Sequence, residues 1–179
     1  MTIKIIIIAL IICSLFLISC TLTANQPAKK NQAPGLHEGQ LLRCPDKPNC
    51  INTEFPDDSS HYFPPLDFSA AEKDKIMPLA ITIIQKMGGT VVAKGSVAQG
   101  SVTQGSVAKG STQESASENN HYLAVTFTSS LFRFVDDFEL RQDNISHKLH
   151  IRSASRTGYS DFGVNKRRVK QFSEHFKKP

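Results

Sequence analysis

Between Phe132 and Arg141 the chain alternates, with Phe132, Phe134, Phe138 and Leu140 on one face of an extended segment and Arg133, Asp137, Glu139 and Arg141 on the other. Successive strand side chains point to opposite faces, so a period of two commits this segment to a sheet with one face against an apolar core. The pattern recurs where Leu123, Val125 and Phe127 alternate with Tyr122, Ala124 and Thr126, and again in Lys148–Ser153, with Leu149 and Ile151 inward. The polar run from Gln142 to His147 joins the third and fourth strands as a hairpin, and the β-branched Thr90–Ala93 supplies the first strand. Elsewhere the period is helical. Ser69 and Glu72 form a capping box ahead of Ile76, Leu79, Ile83 and Met87, Pro78 is expected to kink that helix, and Gly88-Gly89 stops it. Val169, Phe172 and Phe176 share one face of a C-terminal helix. Four strands, two helices and short local connections predict an α+β domain: an antiparallel sheet of about four strands packed against both helices, a two-layer sandwich.

The N-terminus has a different character. After Lys4, an apolar run from Ile5 to Ile18 is broken only by Ala9, Cys13 and Ser14. At about 14 residues it falls short of the roughly 20 that a spanning helix requires, and it ends on a small residue, as an export signal does. Leu17-Ile18-Ser19-Cys20 resembles the lipobox of bacterial lipoproteins. The resemblance implies removal of residues 1–19, lipidation of Cys20 and an anchor of two or three acyl chains, each buried methylene contributing about 0.8 kcal/mol. Thr21, standing where an Asp would retain the protein at the inner membrane, implies the periplasmic face of the outer membrane in a two-membrane cell, or the cytoplasmic membrane where there is only one. From Thr21 to about Leu41 the composition is Ala, Asn, Gln, Lys, Pro and Gly, which describes a flexible tether (residues 20–41) reaching about 25 Å. Residues 42–179 remain for a single domain.

Without its leader, which carries only Lys4, the chain has 20 Lys and Arg against 16 Asp and Glu. Such a mild excess gives no reason to expect nucleic acid as a partner. Export places Cys44 and Cys50 in an oxidising compartment, where they are expected to form a disulfide around Cys44-Pro45-Asp46-Lys47-Pro48-Asn49-Cys50. Free thiols, or a metal site shared with His37 or His61, remain alternatives, although the five-residue spacer exceeds that of common zinc knuckles. The six histidines show no metal-binding helical pair, so neither metal nor cofactor is expected. From Lys94 to Ser111 a Gly-Ser-Val repeat recurs every five residues, a low-complexity hairpin insertion assigned to residues 94–118. No Lys follows its second Gly, which argues against a phosphate-binding loop.

Phe132-Arg133-Phe134-Val135-Asp136-Asp137-Phe138-Glu139, followed by the run from Arg152 to Arg168 around Arg156-Thr157-Gly158-Tyr159-Ser160-Asp161-Phe162-Gly163, resembles the signature of the uncharacterised family known as domain of unknown function 1499. The Cys44–Cys50 segment and His61-Tyr62 resemble the same family's N-terminal signature, so the resemblance covers about Leu42 to Phe176. It implies a family and a fold, and carries no catalytic residue with it. The repeat departs from the family pattern, which has a short turn there.

The signature's polar residues admit two readings. With Arg141 opposite Lys148, Asp137 falls opposite Arg152, Arg156 reaches Asp136 or Asp161, and Asp136 stands on the apolar face and requires a partner. In one reading Asp136, Asp137, Arg152, Arg156 and Asp161 form a buried ion-pair network that ties the sheet to the last helix. In the other, Arg152, Ser153, Ser155, Arg156 and Asn165, beside a helix N-terminus near Ser160 or Asp161, hold an anionic ligand. Gly158-Tyr159-Ser160-Asp161-Phe162-Gly163 has one residue too many for a nucleophile elbow. Lys166-Arg167-Arg168-Val169-Lys170, with Lys177 and Lys178, is a further candidate contact for anionic lipid head groups, a solvated helix face being the alternative. The reading reached from sequence is a membrane-anchored ligand-binding or accessory module, with an enzyme of unrecognised type or a structural envelope protein as alternatives.

Overall fold

A computed structural model of the chain describes residues 32–97 and 120–178. The leader, Cys20, the tether as far as residue 31 and most of the repeat lie outside the described residues. The elements run β1 (Leu36–His37), β2 (Gln40–Leu41), β3 (Cys50–Asn52), β4 (Leu66–Asp67), a 3-10 turn (Ala70–Glu72), α1 (Lys73–Lys86), β5 (Thr90–Val97), β6 (Asn120–Thr128), β7 (Val135–Asp143), β8 (Lys148–Ser155) and α2 (Val164–Phe176). The class is α+β, and the principal sheet has six strands rather than four. Its order is β3-β8-β7-β6-β5 with β4 also paired to β8, every pairing antiparallel, while β1 and β2 form a separate hairpin. The added strands, β3 and β4, are three and two residues long, too short to display a period.

One face of the sheet carries Leu123, Val125, Phe127, Phe138, Leu140, Leu149 and Ile151, packed with Ile76, Ala80, Ile83 and Ile84 of α1 and Val169, Phe172 and Phe176 of α2. Phe138 stands at its centre, 5.3 Å from Phe172 and 5.8 Å edge-on from Phe127 between ring centroids. Burying each such ring stabilises the fold by about 1.5 to 3 kcal/mol. Glu72 closes the capping box with Ser69, and α1 runs through Pro78, whose carbonyl accepts from the Thr82 hydroxyl at 3.0 Å. At the foot of α1, Gly89 is fixed by packing, since a β-carbon there would lie 2.7 Å from both Ile84 and Phe127.

Three expectations are corrected. Phe132 and Phe134 lie outside β7 and are exposed, because Arg133 takes a left-handed conformation at φ 57° and Ser129 closes the loop on Phe134. The β7–β8 register differs by two from the expected one, pairing Arg141 with His150, Glu139 with Arg152 and Asp137 with Ala154, because both strands extend as far as Asp143 and Lys148. Residues 33–41, assigned by composition to the tether, fold onto the sheet: Ala33 and Leu41 are buried, the Gly35 amide donates to Glu139 at 3.0 Å and the Leu41 amide to Glu54 at 2.7 Å. Hydrogen bonds to buried carboxylates hold this segment, which is why a pattern of apolar residues does not reveal it.

Candidate functional site: a partitioned ion-pair system and an apolar groove

The sheet divides the polar residues of the signature between its two faces. Asp136, Ser153 and Ser155 lie on the helix side, where Arg168 of α2 meets Asp136 at 2.8 Å and stacks 4.5 Å over the Phe127 ring. Asn165, 1% exposed, is the hub. Its Oδ1 accepts from the Ser153 hydroxyl and from Arg168, each at 2.6 Å, and its Nδ2 donates to Asn49 O and Ser155 Oγ, each at 3.0 Å. Asp161 caps α2, accepting from the amides of Gly163 at 2.9 Å and Asn165 at 2.6 Å. That carboxylate occupies the position at the helix N-terminus that an anion would take.

On the opposite face, Arg152 meets Glu139 at 2.9 Å and Arg156 chelates Asp137 through Nε and Nη2 at 2.8 to 3.1 Å. Glu139 also accepts from the Tyr122 hydroxyl at 2.6 Å. Alongside, Glu54 pairs with Arg141, and His150 Nδ1 lies 3.9 Å from the same carboxylate. Burial pushes the Glu139 carboxyl up against the opposing pull of Arg152, and pushes Glu54 up against that of Arg141. Burial likewise raises the Tyr122 hydroxyl, and Glu139 adds to the effect. His150 is lowered to about 4 by burial and then by the Arg141 charge. The Asp137 carboxylate raises Arg156.

Both cations expected at the anion site therefore hold a carboxylate of this chain, Arg152 holding Glu139 and Arg156 holding Asp137, and Arg168 of the basic run holds Asp136. Asp136 has the partner its position required, supplied by Arg168 rather than Arg156. Asp161 meets backbone amides, with no Arg among its contacts. Cys44 and Cys50 form a disulfide with Cα atoms 5.7 Å apart. The loop it closes is held by His61, whose Nε2 lies 3.0 Å from Lys47 O and whose Nδ1 lies 2.9 Å from Asp58. His61 thus supports the loop, and both cysteine sulfurs are committed to each other rather than to a metal.

The arrangement open to a ligand lies elsewhere. A groove of about 270 Å³ runs between α1 and the β5–β6 edge, lined by Met77, Ile81, Lys94, Gly95, His121, Tyr122 and Leu123. Its lining is almost wholly apolar. Lys94 is the only cation among the lining residues, and no carboxylate stands with it. Such a trough can take an aliphatic stem while an ammonium meets an acidic head. Sequence reasoning missed this groove because Lys94 and Gly95 belong to the Gly-Ser-Val repeat by composition. The available signal was Met77 and Ile81, apolar residues of α1 beside the buried Ile76, Ala80, Ile83 and Ile84, which widen its apolar face.

Compared with known families, residues 40–176 match a family model described as protein of unknown function, DUF1499. No curated protein and no solved structure matches the chain.

Proposed function

The chain belongs to the DUF1499 family of proteins of unknown function, and from that premise we propose that it is a cell-envelope lipoprotein, anchored through Cys20, whose folded domain binds a small amphiphile in the groove beside α1. The anchor rests on the leader and on Leu17-Ile18-Ser19-Cys20. Binding in preference to catalysis rests on one observation above all. The apolar trough carries a single Lys, whereas the acids and bases of the family signature hold one another in pairs on either side of the sheet. The ligand class that fits is an aliphatic chain with an anionic head, the stem lying on Met77, Ile81 and Leu123 and the head meeting Lys94.

Dodecanoate is the test probe, titrated calorimetrically into the leaderless chain carrying Cys20→Ser. The expected result is one saturable site, weakened at least about fivefold by Lys94→Glu and abolished by Ile81→Glu, which sets a carboxylate among the apolar lining residues. Equal affinity in the wild-type chain and the Ile81→Glu variant, or no saturable site in either, contradicts the proposal.

A further inference from the structure

The end of the sheet opposite the repeat is unusually apolar on its outside. β7 begins and β8 ends side by side there, Asp136 pairing with Ser155 and the Arg156 amide donating to Val135 O at 3.1 Å. The β6–β7 and β8–α2 loops therefore leave the same end. The first exposes Leu131 (78%), Phe132 (68%) and Phe134 (56%), and the second exposes Tyr159 (68%) and Phe162 (89%). At 150 to 250 Å² for an aromatic side chain, these residues put on the order of 700 Å² of largely apolar surface in water, above what a monomer ordinarily leaves bare. The two Phe rings of the first loop lie 5.7 Å apart.

The unpaired charge on the β6–β7 loop and at the start of α2 is positive. Asp136 and Asp137 are held by Arg168 and Arg156, and Asp161 by the first amides of α2. Arg133, Lys166 and Arg167 stand there with no carboxylate partner among the described residues, and Arg167 instead donates to the Phe162 carbonyl at 2.8 Å. Exposed aromatics interleaved with unpaired cations are the composition of an interfacial membrane contact, where rings enter the head-group layer and cations meet lipid phosphates. Only 12 residues separate Cys20 from Ala33, where the compact unit begins. Even fully extended they reach about 40 Å, roughly the diameter of the domain.

We infer that this end of the sheet is a membrane-docking tip that seats Phe132, Phe134 and Phe162 in the interface of an anionic bilayer, with Arg133, Lys166 and Arg167 on its head groups. The inference rests on the anchored reading for the nearness of a bilayer. It orients the domain, because Leu123 and Lys94 of the groove lie toward the opposite end of β6 and β5 and so face away from the lipid.

The chain contains no Trp, so Phe162→Trp gives a single indole at the tip, excited apart from the tyrosines. With unlipidated Cys20→Ser protein, vesicles of phosphatidylcholine with about 30% phosphatidylglycerol are expected to shift its emission to the blue, and salt to reverse the shift. Phe132→Ser with Phe134→Ser, and separately Arg133→Glu with Lys166→Glu, are each expected to lower the partition coefficient at least about tenfold. A cooperative thermal unfolding transition like that of the wild-type chain reports that the same variants are folded. No blue shift, unchanged partitioning in both pairs of variants, or a dimer in sedimentation that buries Phe162 in place of vesicle binding overturns the tip. Vesicle binding by protein that never acquires lipid in cells leaves the tip standing and removes the anchor instead, so the two fail separately.

Discussion

Replacing Arg152 by Met removes a charge from a place where water does not replace it. Glu139 is fully buried and Arg152 is 5% exposed, and the carboxylate accepts from Arg152, the Tyr122 hydroxyl and the Gly35 amide at 2.6 to 3.0 Å. Met fills much of the same volume, so the loss comes mainly from an uncompensated carboxylate, at about 3 to 5 kcal/mol near neutral pH. For a domain of this size that is a fall of about 10 °C or more in midpoint temperature. The pH dependence gives the sharper test. Burial already holds the Glu139 carboxyl above its ordinary 4.5, and removing Arg152 removes the largest opposing influence. With the folded pKa above the unfolded one, the folded state binds the extra proton. Stability is then greatest below about 4.5 and falls as pH rises through the folded value. Arg152→Met is thus expected to recover much of its deficit, relative to wild type, as pH falls from about 7 toward 5, and Glu139→Gln with Arg152→Met to recover it at all pH values. Calorimetric unfolding of the three proteins at several pH values is the assay. A deficit under about 1 kcal/mol, or one that does not change with pH, refutes the reasoning.

Three further outcomes follow from the same structure. Reducing Cys44–Cys50, whose cysteines are six positions apart, is expected to cost about 2 kcal/mol on loop entropy alone, read as a lower denaturant midpoint with reductant present. His150, lowered to about 4 in the folded chain, is expected to titrate near that value by NMR; because its folded pKa lies below the unfolded 6.5, its contribution to stability is present above 6.5 and is lost as pH falls toward 4. Asn165→Ala removes acceptor and donor from Ser153, Arg168, Ser155 and Asn49 together and is expected to cost about 2 to 4 kcal/mol, whereas Lys170→Ala, on an exposed pair, is expected to change stability by less than about 0.5 kcal/mol in the same denaturation series.

Period two in β6, β7 and β8 and the helical period of α2 were legible because each element buries one face against the core, and burial is what a hydrophobic pattern records. The hairpin register was not. A shift of two residues leaves every side chain on its own face, so the alternation that identifies β7 and β8 is indifferent to whether Arg152 stands opposite Asp137 or Glu139. The candidate polar site was legible as a set of residues and not as a place. Pleating sends Asp136 and Asp137, adjacent in sequence, to opposite sides of the sheet, where Arg168 and Arg156 receive them separately. The cover of the polar face stayed hidden for a related reason. Glu139 and Glu54, the latter paired with Arg141, hold the residue 33–41 segment by accepting from its backbone amides, and any amino acid except proline supplies an amide.

The anchor is what places the domain at a membrane, and metabolic labelling with palmitate tests it most directly. In bacterial cells expressing the full chain, label is expected on the wild-type protein, which sediments with membranes and resists extraction by high salt. Cys20→Ser is expected to remove both the label and that resistance. Wild-type protein without label, released as freely as the Cys20→Ser variant, contradicts the account.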